Sequence, residues 1–282
     1  MSAQGAASGY RPTATLPLRV ELGRQLRRRR TVLTLGFLAL LPVLLWLAFK
    51  IGRDDSDRGG ATLVDLATAG GPNFVVFTLF STASFLLVVV VALFFGDTVA
   101  SEASWSSLRY LLAAPVPRGR LLRQKAVVAA LLSVFALVLL PAVAMAVGVL
   151  AYGAGDLVSP TGQSLGFAPA VGRLALAAGY LAVHLAWVAG LALLLSVSTD
   201  APLGAVGGAV MLSILSQILE TIDALGDLRD YLPTRFNSAW ADLLAAPIDW
   251  SRLASGAFSA LTYATVFGLA AWHRFATKDI TS

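Results

Sequence analysis

The chain's 282 residues are 57% hydrophobic and 13% charged, with a mean hydropathy of +0.76, a composition that water cannot solvate as one globule and that requires lipid as solvent. A net charge of +5 in so apolar a chain reports loops facing an anionic leaflet rather than a nucleic-acid partner. Cysteine is absent, which excludes a disulfide framework, a thiolate nucleophile and a Cys-ligated zinc site.

Residues 1–30 form a basic arm. Leu18, Leu22 and Leu26 recur every four residues opposite Arg19, Arg24, Arg27 and Arg28, the pattern of a helix lying on a membrane surface with its apolar stripe in the lipid boundary, with a disordered basic tail as the alternative. Pro17 suits the start of such a helix. Arg27 to Arg30 before an apolar run could also open a secretory signal, but that run is too long and ends in Lys50-Ile-Gly-Arg53 rather than a small-residue cleavage site. The arm is therefore expected to stay.

Apolar runs follow at Thr31 to Phe49, Asn73 to Phe95, Ala126 to Tyr152, Gly172 to Val197, Leu203 to Leu219 and Leu253 to Trp272. Each can cross about 30 Å of hydrocarbon at ~1.5 Å per residue. They predict an all-α polytopic membrane protein with six transmembrane helices over residues 31–272 and a short tail, 273–282. An even number of spans puts both termini on one side. With the termini inside, the inner segments hold fourteen basic and five acidic residues and the outer segments seven and eleven, so the two sides carry +9 and −4. That asymmetry predicts cytoplasmic termini in the cell membrane. Pro42 and Pro141 fall inside spans and are expected to kink them.

The segment 96–125 is a polar island between apolar runs. Ser101 is placed to cap a helix whose first turn carries Glu102. Trp105, Leu108 and Leu112 fall on one face of that helix, and Pro115 and Pro117 stop it. Arg118, Arg120, Arg123 and Lys125 then sit at phosphate level. This reads as a cytoplasmic docking helix; a plain interfacial helix among lipid headgroups would show the same pattern. Further along, Gly162-Gln-Ser164-Leu-Gly166 matches a hydrolase pattern without the strand-to-helix context that chemistry needs. His184 is the ionisable group inside a span. It reads as a hydrogen-bonded packing residue, with a proton relay or a pathway contact as the alternative. Gly204 and Gly208 permit close helix approach, read as internal packing ahead of a dimer seam. Residues 220–252 are too long, and too apolar at Leu243, Leu244 and Ile248, for a simple exposed loop.

The chain encodes no motor. Its three lysines follow Phe49, Gln124 and Thr277, so there is no Gly-Lys-Ser/Thr phosphate loop. Asp97, Asp200 and Glu220 fall at span ends, leaving no intramembrane acid for ion coupling. No metal-ligating cluster is read in the sequence.

Three places carry a resemblance. The first is the run of Glu102, Leu108-Arg109, Leu111-Leu112, Pro115-Val-Pro117-Arg118, Leu121-Leu122 and Lys125; the second is Leu232-Pro-Thr234 with Trp240-Ala-Asp-Leu-Leu244; the third is Arg274-Phe275-Ala-Thr-Lys278-Asp279-Ile280. In this order the chain resembles ABC-2 type ABC transporter permeases of the daunorubicin-resistance-like class, departing from them at Trp105-Ser-Ser. The resemblance implies an exporter subunit rather than an enzyme. Its partners would be a cytoplasmic ABC ATPase dimer that binds ATP and Mg, and a second copy of the chain or a related six-span permease. The chain itself would bind no cofactor. Glu102, Trp105, Leu108, Arg109, Leu112, Pro115 and Arg118 would couple to the ATPase. Residues 220–252 would form re-entrant outer helices, with Trp240, Leu243 and Leu244 at an outer gate. The substrate would be amphipathic or hydrophobic: drug, antibiotic, peptide or lipid. A membrane scaffold or sensor subunit is the second reading, and a secondary transporter the third.

The charge asymmetry has a direct test, because every introduced cysteine is unique. A membrane-impermeant thiol reagent on intact cells should label Cys at Ser56 or Ser164 and miss Cys at Ser106 or Thr277; the reverse pattern would overturn the termini-inside arrangement.

Overall fold

The apolar runs become helices whose bends and crossings are set by small and polar residues. The structure, a computed structural model, describes residues 17–52, 63–104, 117–159, 163–245 and 247–277. The helices are α1 (Leu18–Leu26), α2 (Arg29–Gly52), α3 (Leu63–Ala67), α4 (Gly71–Thr82), α5 (Leu86–Ser104), α6 (Arg118–Tyr152), α7 (Phe167–His184), α8 (Ala186–Ser198), α9 (Pro202–Glu220) and α10 (Trp250–Thr277). Between α6 and α7 lies a small antiparallel hairpin, β1 (Leu157–Val158) with β2 (Ser164–Leu165), pairing Leu157 with Leu165. Two 3-10 segments, Asp223–Tyr231 and Ala239–Leu244, join α9 to α10.

Five stretches among the described residues are long and apolar enough to cross a membrane: α2, α6, α7 with α8, α9 and α10. The bent pair α4–α5 brings the number to six if it is counted as one broken span. The all-α polytopic fold is as the sequence predicts. α8 is central, packed by α10 and α5, while α6 receives α2 and α4. Leu33, Phe37, Leu40 and Leu44 of α2 face outward, as lipid-facing positions do. Pro42 and Pro141 lie within α2 and α6, which continue through them.

The straight second span expected from Asn73 to Phe95 is instead broken at Ala83 to Phe85, where α4 and α5 meet at 61°. Polar side chains from other elements take up the break: the Gln217 amide donates to the Ser84 carbonyl at 2.9 Å, and the Asn237 amide to the Ser84 hydroxyl at 2.9 Å. A span can break only where such partners re-satisfy the backbone. α5 then runs on to Ser104, and α4 lies against groups at the end of the bundle remote from the termini. Its Gly71 amide donates to the Gly153 carbonyl at 2.9 Å, Phe77 meets Phe49 at 4.9 Å, and Phe80 meets Trp240 at 4.5 Å. Asn73 pins the hairpin there by accepting from the Val158 amide and donating to its carbonyl, at 2.9 and 2.8 Å.

Where helices cross, glycine sets the distance. A Cβ on Gly148 of α6 would stand 2.9 Å from the Gly71 Cα, and one on Gly190 of α8 would stand 2.9 Å from the Ala264 carbonyl of α10. Gly208 faces Leu195 of α8, an internal contact, whereas Gly204 has near it only Ala201 of its own segment. Where the resemblance implied short outer helices, the described residues between α9 and α10 form two 3-10 helices. The first of them turns through Gly226 at φ +50°, in the left-handed region that favours glycine.

Gly190→Val should push α8 off α10 and cost about 1–3 kcal/mol, the range for overpacking. Gly207→Ala, with nothing within 4 Å of the added carbon, should not destabilise and can gain up to about 1 kcal/mol from helix propensity. Thermal unfolding of the detergent-purified variants reads both.

Candidate functional site

The end of the bundle that carries the termini holds a buried charge cluster. Glu21 lies on α1, Asp97 and Glu102 on α5, and Lys125 on α6; each is only 4–5% exposed. Lys125 Nζ donates to Glu102 Oε1 at 2.5 Å, and Arg24 Nη2 reaches the same oxygen at 3.1 Å. Arg24 also pairs with Glu21 Oε1 at 2.8 Å, where the Gln25 amide joins at 3.3 Å. Asp97 takes Arg28 at 3.2 Å and also Arg30. Buried charges persist only when paired and hydrogen-bonded. Burial alone would raise the Glu21 carboxyl, but the Arg24 hydrogen bond, with Lys125, Arg24's charge and Gln25, holds it below its ordinary value. The bond to Glu21 in turn raises Arg24.

One turn before Glu102, a cross-helix contact locks α5. Ser196 Oγ of α8 accepts from the amides of Val99 and Ala100 at 3.0 and 3.1 Å. The pairs around Glu102 are thus held on a helix whose own backbone is fastened to the central one.

The opposite end is closed by the second 3-10 segment. Trp240 and Leu243 are buried, while Leu244 is half-buried and lines a cavity of about 610 Å³. The segment is fixed by Arg252, which donates to both oxygens of Asp242 at 3.0 and 3.1 Å and to Ser238 Oγ at 3.0 Å. Mid-bundle, His184 is 1% exposed and stacks on Tyr180 with ring centroids 5.9 Å apart; Tyr180 Oη donates to the Phe236 carbonyl at 3.2 Å. The expectation of a hydrogen-bonded His184 is not met at Nδ1, which has no hydrogen-bond partner among the described residues. Ring stacking is its visible contact.

A family model described as ABC-2 family transporter protein matches residues 19–198. The chain belongs to this family. It is a multi-pass membrane protein and the permease subunit of an ABC transporter, a family whose members associate with an ABC ATPase. The match takes in α1, the charge cluster and α8. No curated protein matches the chain.

The permease places its sequence-predicted residues unevenly. Ser101 does not cap a new helix: it lies inside α5 and donates to the Asp97 carbonyl at 2.7 Å. Glu102 accordingly sits at the end of α5 rather than in a first turn, and its role visible here is to bind α1 and α6. Asp97 lies two turns before the end of α5, where Arg28 and Arg30 neutralise it. Trp105, Leu108, Arg109, Leu112 and Pro115 lie outside the described residues. Arg118 opens α6 and donates to the Ala276 carbonyl near the end of α10, at 3.0 Å. α1 forms after Pro17 with Leu18 and Leu26 exposed and Arg27 at its end, while Leu22 packs on the core.

Sequence reasoning missed Glu21 as the anchor of α1. The available signal was that Glu21 is the only acid in the first thirty residues, among seven arginines.

Lys125→Met should cost this permease about 3–5 kcal/mol, the penalty for leaving one partner of a buried pair. Converting Glu102 to Leu in the same chain should recover most of that loss. Trypsin cleavage around Arg24 to Arg30 should quicken in the single variant. Unchanged unfolding and proteolysis would mean that the pair does not hold α1.

Proposed function

We propose that this permease exports an amphipathic or hydrophobic molecule (drug, antibiotic, peptide or lipid) from the cytoplasm or inner leaflet. In this reading ATP and Mg bind to a cytoplasmic ATPase dimer, and a second copy of the chain or a related permease completes the pathway. The termini lie on the cytoplasmic face of the cell membrane, in keeping with the +9 and −4 charge asymmetry. The observation that carries the reading is the Glu102–Lys125 pair, which joins the two ends of the polar segment between α5 and α6 and ties both to α1. Trp105, Leu108, Arg109, Leu112 and Pro115 supply the ATPase-facing surface between those ends, flanked by Glu102 and Arg118. A displacement of that surface reaches α5, α6 and α1 together. Since the chain has no phosphate-binding loop, the energy enters there. Trp240, Leu243 and Leu244 act at the outer gate, and His184 keeps a packing role in the span.

The double variant Trp105→Ala, Leu108→Ala should lose its ATPase, each truncation costing about 1–3 kcal/mol as for apolar interface anchors. Co-purification, ATP turnover and export are measured on the same variant. Full retention of all three would reduce the segment to an interfacial helix. Binding that persists in the unaltered chain without stimulated turnover or export would favour the scaffold reading.

A further inference from the structure

At the end remote from the termini, α4, the hairpin, α7 and the 3-10 segment Ala239–Leu244 border the open cavity of about 610 Å³. That size lies within the ~300–1,000 Å³ typical of small-molecule sites. Its walls are mainly Val76, Phe77, Phe80, Leu165 and Leu244. Of the described lining residues only Arg173 is charged. The neighbouring Asn73 has both ends of its amide engaged by Val158, so it helps form the wall and offers little to a ligand.

Arg173 is held in one orientation. Its Nη1 donates to the carbonyls of Leu243 and Ala245 at 3.2 and 2.7 Å. Among the described residues no carboxylate pairs with it, and no bond is made by its Nε or Nη2. A guanidinium carries five N–H donors, so an aligned pair remains for a carboxylate or phosphate. A fixed cation that no described carboxylate neutralises, on the wall of an apolar cavity, is complementary to an anion with an apolar body.

We propose that this cavity binds one amphipathic anion, an alkyl or acyl chain ending in a carboxylate or phosphate, with Arg173 on the head group and α4 and Leu244 along the chain. The assignment deepens the exporter reading by naming a substrate class, and its meaning for transport rests on that reading. Binding itself requires no ATPase.

The test uses the purified full-length permease in a neutral detergent, titrated with dansyl-undecanoate and with its uncharged methyl ester. The acid should bind saturably and at least about tenfold more tightly than the ester, the size of one charge-assisted hydrogen bond. Arg173→Gln should abolish that preference, and Arg173→Lys should keep part of it. Ser81→Trp, which fills the cavity from α4 at a position that makes none of the Arg173 hydrogen bonds, should abolish binding of both probes; it keeps the test valid if Arg173→Gln fails to fold. Equal affinity for acid and ester, or undiminished binding in Ser81→Trp, overturns the proposal. Mass spectrometry of the isolated protein separates the two sources of the anion. A phospholipid carried by the unaltered chain and lost in Ser81→Trp identifies a membrane lipid, whereas probe binding without one identifies a free acid. The Trp105→Ala, Leu108→Ala variant should still bind the probe, so failure of the ATPase assignment and failure of this site are read independently.

Discussion

Everything at the base of this permease depends on the need to neutralise charge that has been taken out of water. Glu21, Asp97, Glu102 and Lys125 are almost fully covered, and the covering is done by the helices that carry their partners. Remove α1 and Glu102 loses Arg24, while Asp97 loses the adjoining arginines at Arg28 and Arg30. Such a cluster adds little net stability over apolar packing of the same volume. What it gives is registry, because each charge has few places where it can be buried at tolerable cost. α1 is therefore part of the transmembrane unit and more than a surface float.

The helices were legible because apolar length is a strong signal, and both ends of α2 and α9 fall within a few residues of the expected runs. The bend between α4 and α5 was not, since the run from Phe74 to Phe95 is interrupted only by small hydroxyl residues, Thr78, Ser81, Thr82 and Ser84, which a straight span also tolerates. The partners that permit the bend, Gln217 and Asn237, lie more than 130 residues away. The hairpin escaped for a similar reason: each strand is two residues long, and β1 is held by Asn73, far off in sequence.

The candidate site shows the same division. Amphipathic spacing found α1, yet it assigned the buried face to leucines, because it weighs apolar side chains and is blind to a carboxylate whose cost is met by Arg24. The helical register after Ser101 could be read either as the start of a new helix or as the last turns of an old one. Local capping chemistry favoured the first. The hydrogen bond from Ser101 to Asp97 shows the second, because a serine inside a helix satisfies itself on the preceding turn.

The charge cluster also orders events in time. Arg24 meets Glu102 across 78 positions of chain and Glu102 meets Lys125 across another 23. As the chain leaves the ribosome, the arm has no partner until α5 has been threaded, and that partner is not fully compensated until the base of α6 arrives. A nascent chain halted before α6, or threaded in the wrong sense, leaves carboxylates and arginines without the partners that make their burial tolerable. The cluster thus reports that the first half of the permease has been inserted correctly.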